Sequence, residues 1–496
     1  MRTSLAKVCF PEFRFGCSGA YKMQHFYLLL LVILVATYWF VLNTVRKSRL
    51  GLTPLLGWMV GLAYFVLAPL TVLTLNGGFK FPDSYGLDGN WGDMDLSRPR
   101  FLGPYLFIWL ALMLTCAVAY FFCPRCVSEG NSKYLVSRRR LEQVILITMA
   151  LSLLDWIATV WLTGGIAEFI VSHWYKRQED LVQHFGSAYI LYMRTSLVNQ
   201  ILFTSAAALY AGEGLRRRNT RWVFTSLILL FLFIEIFMSG NRIFFATYLL
   251  SVLTSCWVYG RKKILVTLVA TSPLLVIVFS VWAWVRADLS AIPDSVEREV
   301  SNTDLGNPGV TRLIDVTEGA AVMLLMNIVN DFGNKYDYLY GSTYSRLFTF
   351  FQPRTIHPER TQDFATITAN LYEPGAVTSL GSTALGEAWA NFGVLGIFVL
   401  PGITGLALLC SERLTAAADK HLLFCSVSFV MLIWFARSPF AENAITWIGT
   451  ALLIWALKLE KGLCVRTAAR KTLAPAGLPS VFPLTAAEPS ASARSR

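Results

Sequence analysis

Long apolar runs separated by short polar stretches dominate the chain, and their lengths suit a bilayer better than a globular core. A membrane-spanning helix needs about 20 mostly apolar residues, and the pattern predicts about 11 such segments. They fall near residues 24–44, 53–75, 103–123, 141–163, 189–211, 222–238, 243–259, 264–285, 392–410, 421–435 and 439–458. One long interruption, 286–391, is too long to be a simple connection. The predicted organisation is a basic N-terminal extension (1–23), an N-terminal bundle (24–285), a large loop (286–391), C-terminal spans (392–458) and a disordered tail (459–496). The first span follows basic residues without an A-x-A-like cleavage site, so it is read as retained.

Composition agrees. Of 496 residues, 55% are apolar and 15% charged, with a mean hydropathy of +0.52. That leaves too little polar surface for a soluble protein of this length. The expected fold class is therefore an all-α polytopic membrane protein.

Basic residues set the orientation. Arg46, Lys47 and Arg49 follow the first span, Arg125, Lys133, Arg138, Arg139 and Arg140 the third, Arg216 to Arg218 and Arg221 the fifth, and Arg261 to Lys263 the seventh. The positive-inside rule makes these loops cytoplasmic. The tail, with Lys461, Arg466, Arg470 and Lys471, then also falls inside. By the same count Arg2, Lys7, Arg14 and Lys22 fall outside, which points to a miscounted span or to a start at Met23. The net charge of +12 is thus the charge of short loops facing anionic lipid. No basic face on a soluble module suggests nucleic acid. Between Ala287 and Ala390 acids outnumber bases roughly two to one, a pattern that suits translocation.

The nine cysteines are scattered, and the large loop has none, so no disulfide framework is available there. Cys123-Pro-Arg-Cys126 has metal-like spacing but no second pair to complete four ligands. No metal or cofactor is expected.

Inside the large loop, Arg312 to Val329 reads as a helix with Asp315 and Glu318 in its first turns. Its apolar half, Ala320–Val329, is too short to span, and an interfacial or re-entrant helix packed on the bundle is expected. Pro353, Pro358 and Pro374 rule out one continuous helix beyond it. Irregular backbone at membrane depth is tolerated only where it is buried in protein or lines a cavity.

Six arginines fall on the outer side in this topology: Arg242, Arg286, Arg346, Arg354, Arg360 and Arg437. Singly, each could be an interface anchor. As a group they oppose the bias that depletes outer cations, and the planar guanidinium fork suits a diphosphate. Glu387 has two readings, a general base for an attacking sugar hydroxyl or a structural partner of an arginine. His357 is the alternative base, or an exposed loop histidine. Lys176 and Arg177 could touch substrate or simply end a wet loop. The aromatics Tyr338, Tyr340, Tyr344, Phe348, Phe350 and Phe351 could stack on sugars or form an interface belt. No paired-aspartate nucleotide-sugar motif and no P-loop is present. A sugar transferase built this way takes its sugars from a lipid carrier whose diphosphate is already a good leaving group.

These features resemble the Wzy-type O-antigen and oligosaccharide repeat-unit polymerases. The resemblance lies in LTGGIAEFI with YKRQ beyond it, the G-x-R of SGNRIFF, GSTYSRLFTFFQPRTIHPER, and LGEAWANFGVLG leading into a span. It implies a fold related to the GT-C glycosyltransferases and an active site on the periplasmic face of the bacterial inner membrane. It also implies transfer of a growing glycan from undecaprenyl diphosphate to the next lipid-linked repeat unit, in O-antigen, capsule or exopolysaccharide synthesis. Arg242 and Arg354 best match the diphosphate-handling arginines, with Arg286 and Arg437 assisting. A chain-length regulator and a flippase are candidate partners. An O-antigen ligase would share the donor and large loop, and a flippase or other transporter would make no bond. Transporters place charges near the midplane, where only Asp155 and Glu235 stand.

Overall fold

The computed structural model of the protein describes residues 17–47, 51–80, 93–123, 134–162, 164–166, 189–212, 221–239, 242–270, 319–349, 361–374, 381–437 and 439–466. Nearly all of this is helix, and the chain is an all-α membrane protein. In order come α1 (Cys17–Lys47), then α2 (Pro54–Leu62), a π-helical turn (Ala63–Leu67) and α3 (Ala68–Asn76), which together make one span. A hairpin of β1 (Gly78–Lys80) and β2 (Asp93–Asp95) leads to α4 (Leu102–Phe122). Strand β3 (Tyr134–Val136), α5 (Arg138–Leu162), α6 (Tyr189–Gly212), α7 (Arg221–Ser239) and α8 (Arg242–Val258) follow. The large loop contributes α9 (Gly319–Asp331), α10 (Ser342–Thr349) and α11 (Phe364–Tyr372). After α12 (Ala384–Phe392) and a 3-10 segment (Gly393–Phe398) come α13 (Val399–Ala416), α14 (Ala418–Phe435), α15 (Phe440–Ala456) and β4 (Cys464–Arg466).

Among the described residues five helices are long and apolar enough to cross a membrane: Met23–Lys47, Pro54–Asn76, Pro99–Phe122, Arg138–Leu162 and Ala384–Ala416. Shorter apolar helices include Phe224–Glu235, Ile243–Val258, Lys420–Phe435 and Asn443–Ala456. Most of the predicted segments thus appear as helices within a few residues of the expected limits. For the predicted span 264–285, only residues up to 270 are described. The helices turn large apolar side chains outward, as lipid-facing surfaces do and soluble ones do not. Val32, Trp39, Leu153, Leu154, Trp161, Leu229 and Phe233 are all exposed.

The core is built on backbone contact. Gly57 and Gly61 of α2 lie one turn apart directly against α14. A Cβ at Gly57 would overlap the Phe429 carbonyl, and one at Gly61 would come within 2.8 Å of Ile433 Cα. Small residues four apart permit this approach. Helix α13 closes the group, with Trp58 Nε1 donating to Thr404 Oγ1 at 2.8 Å and the Leu55 N–H to Ser411 Oγ at 3.0 Å.

Basic residues gather at one end of the bundle. Arg46 lies over the Trp257 ring, and Arg261 donates to the Gly212 carbonyl. Arg140 donates to the Lys461 carbonyl. At this end β3 pairs with β4, and Glu460 accepts the Phe424 N–H at 2.6 Å and the Leu423 N–H at 3.1 Å. The expectation of a disordered tail from residue 459 is corrected for its first turns. Leu459 and Leu463 are buried, and backbone pairing orders Cys464–Arg466.

Two short helices occupy the protein interior nearer the opposite end. Helix α9 begins within the predicted segment, but it is buried on nearly every side against α4, α12 and the π turn. It therefore packs on the bundle as expected, with its apolar surface covered by protein. Helix α12 starts at Ala384, well before the predicted span, and it too is fully buried as far as Asn391. Gly393, at φ 55°, breaks the helix, and Gly396 then packs on the Ala388 carbonyl.

Candidate functional site

Two of the predicted site residues, Glu387 and Arg437, lie at the N-terminus of α12. Thr383 caps that helix, its hydroxyl accepting the Gly386 N–H. One turn on, Glu387 is buried, and its Oε2 accepts the N–H of Phe440, the first residue of α15, at 2.7 Å. A carboxylate there satisfies a helix N-terminal donor and meets the positive end of the helix dipole. The turn joining α14 to α15 is held from the other side, where the Ala384 N–H donates to the Ala436 carbonyl at 3.4 Å. Arg437 follows in that turn, and its Nη1 fills the place where a Cβ at Gly381 would stand. Glu387 and Arg437 are thus brought to one spot by separate contacts with the same turn.

Helix α10 packs against this spot. The Tyr344 ring lies between Phe392 and Phe440, each centroid 5.4 Å away. Burial, with the neighbouring Glu387 charge, holds the Tyr344 phenol well above its usual range. Asn391 Nδ2 donates to Thr343 Oγ1 and to the Glu387 carbonyl, both at 2.8 Å. Arg346 is buried, and its Nη1 pairs with Asp363 Oδ2 at 3.1 Å. Asp363 caps α11 through the Thr366 N–H at 2.7 Å. Burial alone would raise the Asp363 carboxyl, but the Thr366 bonds and Arg346 outweigh it and hold it below the ordinary range.

That ion pair has a topological meaning. It ties α10 to the residue just before α11, so both ends of the intervening segment are fixed at one place. Arg354, His357 and Arg360 belong to that segment and lie outside the described residues, as do Arg286, Lys176 and Arg177. Arg242 is the first residue of α8, and its side chain is likewise outside what is described.

A second polar cluster lies within the helices. Glu235 of α7 is 2% exposed. Its Oε1 accepts from Gln200 Nε2 at 2.6 Å and its Oε2 from Trp156 Nε1 at 2.8 Å. The Trp156 ring is also stacked on Phe231, so its face as well as its donor edge is engaged.

The family model for O-antigen polysaccharide polymerase Wzy matches residues 21–461. The chain belongs to that family. No curated protein and no solved structure matches it. Membership makes this Wzy-family chain a polysaccharide polymerase, a glycosyltransferase-like enzyme acting on lipid-linked oligosaccharide in a membrane. The match takes in every candidate site residue, including the α12 N-terminus. Sequence reasoning missed Gly381, Asp363, Asn391 and the role of Phe440. For Gly381 the signal was available: a glycine just ahead of the Ser-Thr cap of a glutamate-bearing helix.

Proposed function

We propose that this polymerase transfers the growing glycan from undecaprenyl diphosphate to the next lipid-linked repeat unit. The reaction would run at the periplasmic face of the inner membrane and need no metal. The carrying observation is the position of Arg437, seated against Gly381 at the end of the bundle opposite the basic loops. Positive-inside orientation makes that opposite end periplasmic.

In this reading the acceptor hydroxyl oxygen bonds the anomeric carbon of the donor sugar. The bond from that carbon to the diphosphate oxygen breaks, and the electron pair leaves with the diphosphate. Arg242 and Arg354, with Arg286 or Arg437 assisting, would receive the developing charge through their guanidinium donors. Arg286 and Arg360, with Lys176 and Arg177, supply further cations to the lipid-linked substrate. Glu387 Oε2 is engaged by the Phe440 N–H, so Glu387 is assigned to positioning the Arg437 turn. His357 is assigned as the base that takes the hydroxyl proton. Arg346, paired with Asp363, ties α10 to the residue before α11. A chain-length regulator and a flippase would act beside the enzyme.

The test uses purified full-length protein with the strain's own polyprenyl-diphosphate repeat unit, EDTA present and no nucleotide. A ladder of lengthened lipid-linked glycans is expected. Transfer only when a lipid A core acceptor is added would make the chain a ligase. No transfer to either acceptor would overturn the reading.

A further inference from the structure

Residues 339–342 form a turn that the chain's own sequence disfavours. The Ser342 N–H donates to the Leu339 carbonyl at 2.9 Å, and the two central residues, Tyr340 and Gly341, have φ of 47° and 81°. Positive φ at both central positions defines a turn suited to Asn-Gly or Gly-Gly, and a bulky aromatic at the first is an outlier. Tyr340 is nevertheless 82% exposed, so burial of its ring does not explain its presence.

The ring is supported from behind. Tyr338 meets Tyr340 edge-on at 6.4 Å, and Tyr338 in turn meets Trp389, which packs on Phe107 at 4.6 Å. Two positive-φ glycines, Gly333 and Gly393, leave the space that Tyr338 fills, since a Cβ on either would press on its ring. The turn is anchored to α12 by the Leu339 N–H donating to the Ala390 carbonyl at 2.8 Å, one turn along from Glu387. Gly333, Asn334, Lys335 and Asp337 are exposed on one side of the turn, and Phe392, Val394 and Leu395 on the other, so the ring stands where a polar surface meets an apolar one. A buttressed, exposed aromatic with amide and charged groups on one side has the composition of a carbohydrate platform, where the ring covers a sugar's C–H face and the polar groups bond its hydroxyls.

We propose that Tyr340, buttressed by Tyr338, is a glycan-stacking subsite that holds a sugar ring of the lipid-linked repeat unit beside the Glu387–Arg437 cluster. This rests on the polymerase reading for its substrate. The backbone supplies the discriminating variant: Tyr340→Asn suits the turn better while deleting the aromatic face. Full-length protein in detergent would be titrated with repeat-unit oligosaccharide released from its lipid, followed by saturation-transfer NMR, with thermal unfolding and elongation kinetics in parallel. For Tyr340→Asn the expected results are an unchanged or raised Tm and about a fivefold weaker glycan affinity. KM for the lipid-linked repeat unit should rise by a similar factor with kcat little changed, and Tyr340→Phe should behave as wild type. Unchanged glycan binding and KM in Tyr340→Asn, or no binding by the wild type, would overturn the subsite. Glycan binding without any elongation by the wild type would instead remove the polymerase mechanism and leave the subsite standing.

Discussion

Glu387 Oε2 accepts the backbone N–H of Phe440 at 2.7 Å, so a side chain in α12 fixes where α15 begins. The contact joins two segments 53 positions apart and sets the turn from which Arg437 projects. A buried acceptor in this role is expensive to delete, because the donor it satisfied is left without a partner.

Glu387→Ala should therefore destabilise the protein by about 1–3 kcal/mol, whereas Glu387→Gln, which keeps an acceptor, should cost less. Thermal unfolding of both variants in detergent checks this order, with glycan elongation followed in parallel. Abolished elongation in Glu387→Gln with an unchanged Tm would return Glu387 to the role of general base.

Gly381→Ala places a methyl group where Arg437 Nη1 lies. The guanidinium must shift, and elongation should fall about tenfold or more, the scale of one charge-assisted hydrogen bond. The double variant Gly381→Ala/Arg437→Ala should be no slower than Arg437→Ala alone. Additive losses would show that Gly381 acts through something other than Arg437.

Arg346→Ala leaves Asp363 without this ion-pair partner and unties α10 from the residue before α11. Loss of one member of a largely buried pair typically costs about 3–5 kcal/mol, reduced here because Asp363 keeps its Thr366 bonds. Limited proteolysis should show faster cleavage within α10 or α11. An unchanged digestion pattern would mean that the pair does not hold these two helices.

Glu460 gives a pH dependence at the other end of the bundle. Burial raises its carboxyl to about 7, against the Phe424 and Leu423 N–H bonds that favour the ionised form. The folded value exceeds the unfolded one, so the stabilising contribution is fully present below about 4.5 and is lost as pH rises through about 7. Across that window the change is at most about 3 kcal/mol. Glu460→Gln should flatten the Tm profile between those limits, and a profile unchanged by the substitution would contradict the assignment.

Much of the architecture was legible because apolar length is a property of sequence alone. The spans ending near Lys47, Phe122, Leu162 and Gly212 lie close to their expected limits for that reason. Helix α9 was recognised, but the extent of its burial was not, since an apolar decamer reads the same against lipid as against protein. Glu387 was singled out for its cost near a membrane, yet its bond to the Phe440 amide carries no residue-type signal. Arg346 looked like its neighbouring arginines, and only the fold shows Asp363 opposite it. The ordered start of the tail depended on a strand partner more than 300 positions earlier in the chain.

The contact of Gly57 and Gly61 with α14 limits how the molecule can move. Where backbones touch, no layer of side chains remains to change rotamer and let one helix slip past the other. The α2–α14 pair is therefore a stator. Any movement on admitting a lipid-linked unit or releasing the lengthened chain would fall to helices that pack through side chains, such as α7 with Glu235 and Phe231.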